Sequence, residues 1–235
     1  MEGLLRIQQT FFNLREMASV VPTMLTVGLP NTLLLSVLAS LIGIAIGLPL
    51  SLGLAARRRR LRLPCRAYTD VLRGLPHILS VYLIGQGLPL AGLAVFGNDT
   101  YAYAALAIGM IESAYMAEIF RAGIQSVPRG QREAAHALGL GRWATLRHIV
   151  LPQALRRVLP PLTGQFILVI KGTALVFLLG LTVGQRELFS IAQDAAVNDA
   201  NLSPLMVAGI AYLALTVPMT YAVNAWERRL RASSP

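Results

Sequence analysis

Between Glu16 and Arg57 the chain carries no charged residue. A helix needs roughly 20 apolar residues to cross the hydrocarbon of a bilayer, and this stretch is about twice that length. The composition agrees: 55% of the side chains are hydrophobic and 14% charged, against about a quarter charged in an ordinary soluble domain. The sequence therefore reads as an integral membrane protein. Pro22 and Pro30, followed by Asn31 and Thr32, place the first span over 33–55 and leave 17–29 as a preceding amphipathic or interfacial helix. Residues 1–30 form an external or interfacial segment. Mixed charges at Glu2, Arg6, Arg15 and Glu16 before a long apolar run do not match a cleaved leader, so the first span is expected to be retained.

Four further spans are expected, over 71–96, 101–120, 159–183 and 204–225. The second contains Gly74, Pro76, Gly85, Gly87 and Pro89 and is expected to bend. Charge orients them. Six arginines lie in 57–66, seven in 121–157 and three near the C-terminus, whereas the opposite side holds only Arg6, Arg15 and Arg186. By the positive-inside rule the N-terminus is outside and the C-terminus cytoplasmic. The net charge of +10 belongs to this pattern and does not indicate nucleic acid, since no basic run is interleaved with aromatics. A single cysteine, Cys65, excludes an internal disulfide. His77, His136 and His148 lack metal-ligand spacing, so no metal site is expected. The external segment 186–201 has helical spacing over 187–196, suited to a short gate or docking helix.

The one long polar interruption is the loop 121–158. Val127-Pro128-Arg129-Gly130 reads as a turn and Gln131 to Leu138 as a short helix stopped by Gly139. A second short helix, Arg142 to Val150, is closed by Pro152. Two short helices between spans form a rigid knob that would present Leu138, Leu140 and Trp143, with Glu133 beside them, to the groove of a soluble partner. The alternative is an amphipathic loop lying on the lipid surface.

The spacing within this loop decides for the knob. Glu133-Ala134-Ala135, Gly139 and, after nine intervening residues, Ile149-x-Leu151-Pro152 resemble the cytoplasmic loop of the permease subunits of ABC importers. Tyr115 to Gln131, with Leu151-Pro152-Gln153-Ala154 and Leu159-Pro160-Pro161-Leu162, resembles the polar amino acid branch of that family, whose members serve histidine, glutamate, glutamine, arginine or opines. The resemblance covers the chain from about Pro30 onward. It implies an all-α type I permease with a five-transmembrane-helix core over 31–230, a cytoplasmic coupling helix and a short tail at 231–235. It also implies a second permease subunit, identical or homologous, a cytoplasmic ATPase dimer that holds ATP and Mg²⁺, and an external substrate-binding protein. No cofactor is expected in this chain: its one lysine, Lys171, follows Ile170 rather than a glycine-rich phosphate loop. Glu133, Ala134, Ala135 and Gly139 carry over as ATPase-coupling residues, joined by Leu138, Leu140 and Trp143. Two motifs depart from the branch. Arg73-Gly74-Leu75-Pro76 stands where Arg-Gly-Thr-Pro is common, and Lys171-Gly172-Thr173-Ala174-Leu175 where Lys-Asp-Thr/Ser-Ser-Leu is common, so a hydroxyl and a carboxylate are missing.

Four charges fall inside expected spans: Arg73, Glu112, Glu118 and Lys171. Each costs roughly 2.5 to 3.5 kcal/mol in lipid and should face protein or water. Glu112 and Glu118 are six residues apart, about 240° around a helix, and cannot share a face. Glu118 and Arg121, three apart, suit a structural ion pair. Arg73 and Lys171 could hold the carboxylate of an amino acid and Glu112 its amine; alternatively Lys171 and Glu112 bridge to each other and fix the packing. Ala39, Ser40, Gly43, Gly47 and Ser51 form a small-residue face for close helix contact. The rival from another class is a membrane-embedded enzyme acting on lipid with Glu112 or Glu118 and a histidine. No nucleophile motif supports it, and the sequence reads as an inner-membrane importer subunit for polar amino acids, with opines or other modified amino acids as the alternative substrate.

Overall fold

The computed structural model describes residues 2–232, and these are helical throughout with no strand. Two short helices, α1 (Glu2–Phe11) and α2 (Leu14–Thr23), lead through a π turn (Met24–Gly28) into α3 (Leu29–Leu54). Then follow α4 (Arg59–Gly74), α5 (His77–Gly85), α6 (Gly87–Leu90), α7 (Thr100–Gln125), α8 (Arg129–Ala137) and α9 (Arg142–Thr145). A second π turn (Leu146–Val150) joins α9 to α10 (Leu151–Gly172), which tightens into a 3₁₀ segment (Thr173–Leu179). A short 3₁₀ turn (Val183–Gln185), α11 (Leu188–Asn198) and α12 (Ser203–Ala232) complete the chain. Four stretches among the described residues are long and apolar enough to cross a membrane: Leu5–Leu54, Thr100–Gln125, Arg142–Leu179 and Ser203–Arg228. His77–Leu90 is apolar but shorter.

Proline explains where these stretches differ from the sequence expectation. The segment 17–29 is not a separate helix: it runs into the first span, because a π turn absorbs Pro30. A proline cannot donate to the carbonyl four residues back and its ring crowds that carbonyl. Widening the preceding turn relieves the clash, and the Leu29 N–H bonds to the Met24 carbonyl, five residues back. The same device operates at Pro152, where the Leu151 N–H reaches the Leu146 carbonyl. The expected stop at Pro152 is therefore absent and the helix continues as α10. Pro76 acts differently. It forces Leu75 into extended backbone (φ −84°, ψ 145°), as the residue before a proline prefers, and the stretch 71–96 is divided there and again at Gln86. Residues 91–99 turn through Gly92 and Gly97, both at positive φ, where only glycine is unstrained.

The core lies along α7, whose most extensive neighbour is α3, with α10, α5 and α4 also against it. Ala39, Ser40, Gly43, Gly47 and Ser51 are all buried on α3. The fit is close: a Cβ at Gly47 would stand 2.9 Å from the Ser113 carbonyl oxygen, and one at Gly109 of α7 would stand 2.6 Å from Ile42 Cβ and 3.0 Å from the Ala39 carbonyl oxygen. Side-chain tethers hold the rest. Tyr68 of α4 donates to Ser113 Oγ or to the Met110 carbonyl of α7, and Tyr101 donates to the Asn31 carbonyl of α3 at 2.7 Å. Overpacking a filled interface costs roughly 1–3 kcal/mol. Gly109→Ala is therefore expected to lower the thermal unfolding midpoint of the purified protein in nanodiscs, whereas Gly3→Ala, with open space around its Cβ, leaves it unchanged.

Candidate functional site

The loop between α7 and α10 is assembled from helix ends that satisfy one another. The C-terminal carbonyls of α7, orphaned as at any helix end, accept hydrogen bonds from two arginines. Arg132 Nη2 donates to the Ile124 carbonyl at 2.6 Å, and Arg157 Nη1 donates to the Ser126 carbonyl. Pro128, in extended backbone, starts α8, where its missing N–H costs nothing. At the other end of α8, Gly139 N–H bonds to the His136 carbonyl and Leu140 N–H to the Ala135 carbonyl, each at 3.0 Å, with Gly139 at φ +77°. This pairing is a Schellman closure, which needs a left-handed residue just past the helix. The glycine in the Glu-Ala-Ala…Gly spacing thus has a backbone role.

The closure sorts the side chains of the loop. Ala135 is buried and Leu140 half-buried, while Glu133, Ala134, Leu138, Gly139 and Trp143 face outward. Leu138 is 82% and Trp143 83% exposed, the two largest exposures of any apolar side chain on the loop. Behind them Val127, Val150 and Ala154 pack with Ile124 and Leu146, so the apolar pair stands on a filled base. Two apolar side chains, Leu138 and Trp143, thus project from a braced turn.

The charges expected inside spans fall into separate groups, and Arg73 lies on α4, before the apolar stretch His77–Leu90 rather than within it. Glu118 is held by Arg121, with Nη2 at 2.6 Å and Nε donating at 2.7 Å. Arg73 reaches the other Glu118 oxygen at 3.8 Å and lies over the Tyr115 ring, 5.4 Å from its centroid. His77 packs edge-on to the same ring and shares a 3.1 Å hydrogen bond with the Tyr115 hydroxyl. Glu112 is 4% exposed, and its carboxylate accepts a 2.5 Å hydrogen bond from Gln165 Nε2 of α10. Lys171, at the end of α10, is exposed and joins no salt bridge among the described residues. The structure thus brings Arg73, Glu118 and Arg121 together and keeps Lys171 out of any bridge to Glu112.

Tyr115 and Gln165 are partners that the sequence reading did not single out. An uncharged side chain in an apolar run carries no signal until a neighbouring helix places a charge against it. Glu187 was missed too. It is 0% exposed and caps α11, accepting from the Phe189 and Ser190 amides, the Ser190 hydroxyl and the Tyr212 hydroxyl. The helical spacing over 187–196 located α11, but glutamate is not among the preferred capping residues, so the capping role of Glu187 had no marker. No group of His, Cys, Asp and Glu able to hold a metal occurs among the described residues.

Residues 43–232 match the family described as the binding-protein-dependent transport system inner membrane component. The chain belongs to this family. This permease chain is 34% identical over 206 residues to the arginine transport system permease protein ArtQ of Bacillus subtilis, covering 88% of this chain and 92% of that one. It is 33% identical over 220 residues to the glutamate/aspartate import permease protein GltK of Escherichia coli, covering 90% and 96%. Among solved structures, an amino acid ABC transporter crystallised with histidines superposes with a TM-score of 0.79 at 30% identity, covering 91% of this chain and 96% of that one. The MetNI methionine transporter, at 21% identity and a TM-score of 0.71, shares the fold of the permease.

A β-branched side chain at φ +77° is strained by roughly 1–2 kcal/mol, whereas asparagine tolerates that backbone. Gly139→Val is expected to speed hydrogen exchange at the Leu140 amide by about tenfold, and Gly139→Asn to leave it within a few-fold of the parent.

Proposed function

We propose that this permease forms the membrane path of an ATP-driven importer for polar amino acids in the cytoplasmic membrane, beside a second permease subunit and beneath an external binding protein. The observation that carries the coupling half of this reading is the outward projection of Leu138 and Trp143 from a turn locked at Gly139. A cytoplasmic ATPase dimer would receive this tip in a groove, with Glu133 meeting a cationic group at its rim. Closure of the ATPases on ATP would then move the loop, and through α7 and α10 the spans, between inward and outward openings. The arginine distribution places the loop and the C-terminus in the cytoplasm and the N-terminus outside. The reading has five traverses per subunit, the shorter apolar stretch His77–Leu90 serving as one of them.

Several relatives are named for amino acids with ionic or amide side chains, and every amino acid offers a carboxylate and an ammonium group. Glu112 and Lys171 are the residues we assign to the substrate path. Lys171, at the α10 terminus, forms no salt bridge among the described residues, and Glu112 is a buried carboxylate that accepts a hydrogen bond from Gln165. Arg73 is a weaker third member, since Glu118 and Tyr115 already engage it. Gly172, Ala174 and Leu75, small or apolar where polar groups are common in the branch, favour a modified amino acid such as an opine as the second reading.

Leu138→Ala combined with Trp143→Ala is expected to weaken association with the cognate ATPase by roughly 2 kcal/mol or more, read by titration of the purified subunits, without altering the unfolding midpoint. An unchanged affinity would sink the docking tip. Glu112→Gln is expected to reduce uptake of the cognate amino acid in proteoliposomes and to shift preference among neutral, acidic and basic substrates. Unchanged uptake and selectivity would remove Glu112 from the path.

A further inference from the structure

Two cavities on this permease are lined by arginines, and their electrostatics differ. One, of about 530 Å³, is bounded by Arg62, Arg66, Arg73 and Arg121 together with Asp70 and Glu118. Its charges are partly matched: Arg66 pairs with Asp70, and Arg73 and Arg121 share Glu118, so two carboxylates offset part of the charge of four arginines. The other, of about 470 Å³, lies where the α3–α4 junction meets the end of α7 and helices α8 and α9. Arg57, Arg132, His136 and Arg142 line it and no carboxylate does. None of its three arginines forms a salt bridge among the described residues.

Arg132, on the cavity wall, uses Nη2 to cap α7, which fixes its guanidinium there, while its Nε is enclosed by protein without an acceptor. His136 directs Nδ1 at the Leu140 carbonyl, 3.0 Å away, so its Nδ1 carries the hydrogen and Nε2 remains free. Like charges gathered without a counter-ion repel one another, and an anion entering the cavity relieves that repulsion.

We propose that this cavity binds a phosphate group, borne by an anionic lipid headgroup or free in the cytoplasm. A single carboxylate cannot use three guanidinium groups; a phosphate carries up to about two negative charges and several acceptor oxygens in the geometry that arginine forks match. The volume lies within the range of roughly 300 to 1,000 Å³ usual for small-molecule sites. Arg57 belongs to the helix junction, whereas Arg132, His136 and Arg142 belong to the loop. A bound phosphate would therefore clamp the loop to the α3–α4 junction. The inference rests on the cavity alone and survives a change in the substrate reading. Both sources of the phosphate, headgroup and cytoplasm, rest on the cytoplasmic placement of the loop.

The full chain with its cognate ATPase, in phosphatidylcholine nanodiscs, is tested in two arms at constant ionic strength. Equilibrium dialysis measures inorganic phosphate, and native mass spectrometry counts phosphatidylglycerol retained when that lipid replaces part of the phosphatidylcholine. Saturable binding in the first arm alone identifies a free phosphate; binding in the second alone identifies a lipid. Arg57→Gln is expected to weaken whichever is bound roughly tenfold, the scale of one charge-assisted hydrogen bond. Arg132→Gln should do the same, and Arg57→Gln decides if the Arg132 variant fails to fold. Arg58→Gln, outside the cavity lining, should leave binding unchanged. The proposal is overturned by no saturable binding in either arm, by equal binding in Arg57→Gln and the parent, or by an equal loss in Arg58→Gln, which would mean diffuse surface charge. Binding by the permease alone that disappears when the ATPase is added would also overturn it, since the cavity would then receive an acidic side chain of the ATPase.

Discussion

The approach of α3 to α7 is the contact on which the rest of the permease depends. Between helices in lipid there is little hydrophobic drive, and association rests on how closely backbones can pack. Gly43 and Gly47 on one helix and Gly109 on the other remove the side chains that would hold the pair apart. With α7 fixed in this way, α4, α5 and α10 have a common surface to pack against. The same helix carries Glu112, Glu118 and Arg121 and ends in the polar loop. One glycine-lined contact therefore positions both the charges of α7 and the base of the polar loop.

Proline shapes the helices around that contact without breaking the long ones. Where a proline follows a π turn, as at Pro30 and Pro152, one wide turn removes the clash and the helix continues. Where it follows a residue free to extend, as at Leu75–Pro76, the helix ends and a new one starts. The difference is one of backbone satisfaction. In lipid an unpaired carbonyl is expensive, so a turn of altered hydrogen bonding is preferred to an open break unless neighbouring helices cover it.

The polar groups divide by whether the chain satisfies them. Glu118 is fully engaged, Glu187 accepts four hydrogen bonds in a buried cap, and the α7 carbonyls are capped by Arg132 and Arg157. Among the described residues Lys171, Arg57 and Arg142 form no salt bridge, and Leu138 and Trp143 stand exposed. Stability accounts for the first group. The second group is where the proposed contacts with a soluble subunit, a substrate and an anion are assigned.

Much of this was legible in the residues. The uncharged run from Glu16 to Arg57 marked a membrane protein, being about twice the length a spanning helix needs. The small face of α3 and the helix-stop at Gly139 were readable because each depends on local geometry: side-chain size at a four-residue spacing, and a backbone only glycine adopts freely. The effects of Pro30 and Pro152 were misjudged from sequence, because a π turn has no residue signature. Pairings across helices were also out of reach. Whether Glu112 met Lys171 or Gln165, and whether Glu187 lay on a surface or capped α11, depended on how helices far apart in the chain are rotated against one another. By itself the sequence determined the solvent each segment lives in and the local turns, which follow from side-chain polarity and backbone sterics within a few residues. Only the tertiary structure decided which charges are paired and which are left open, because pairing is fixed by the distance between side chains that packing alone brings together.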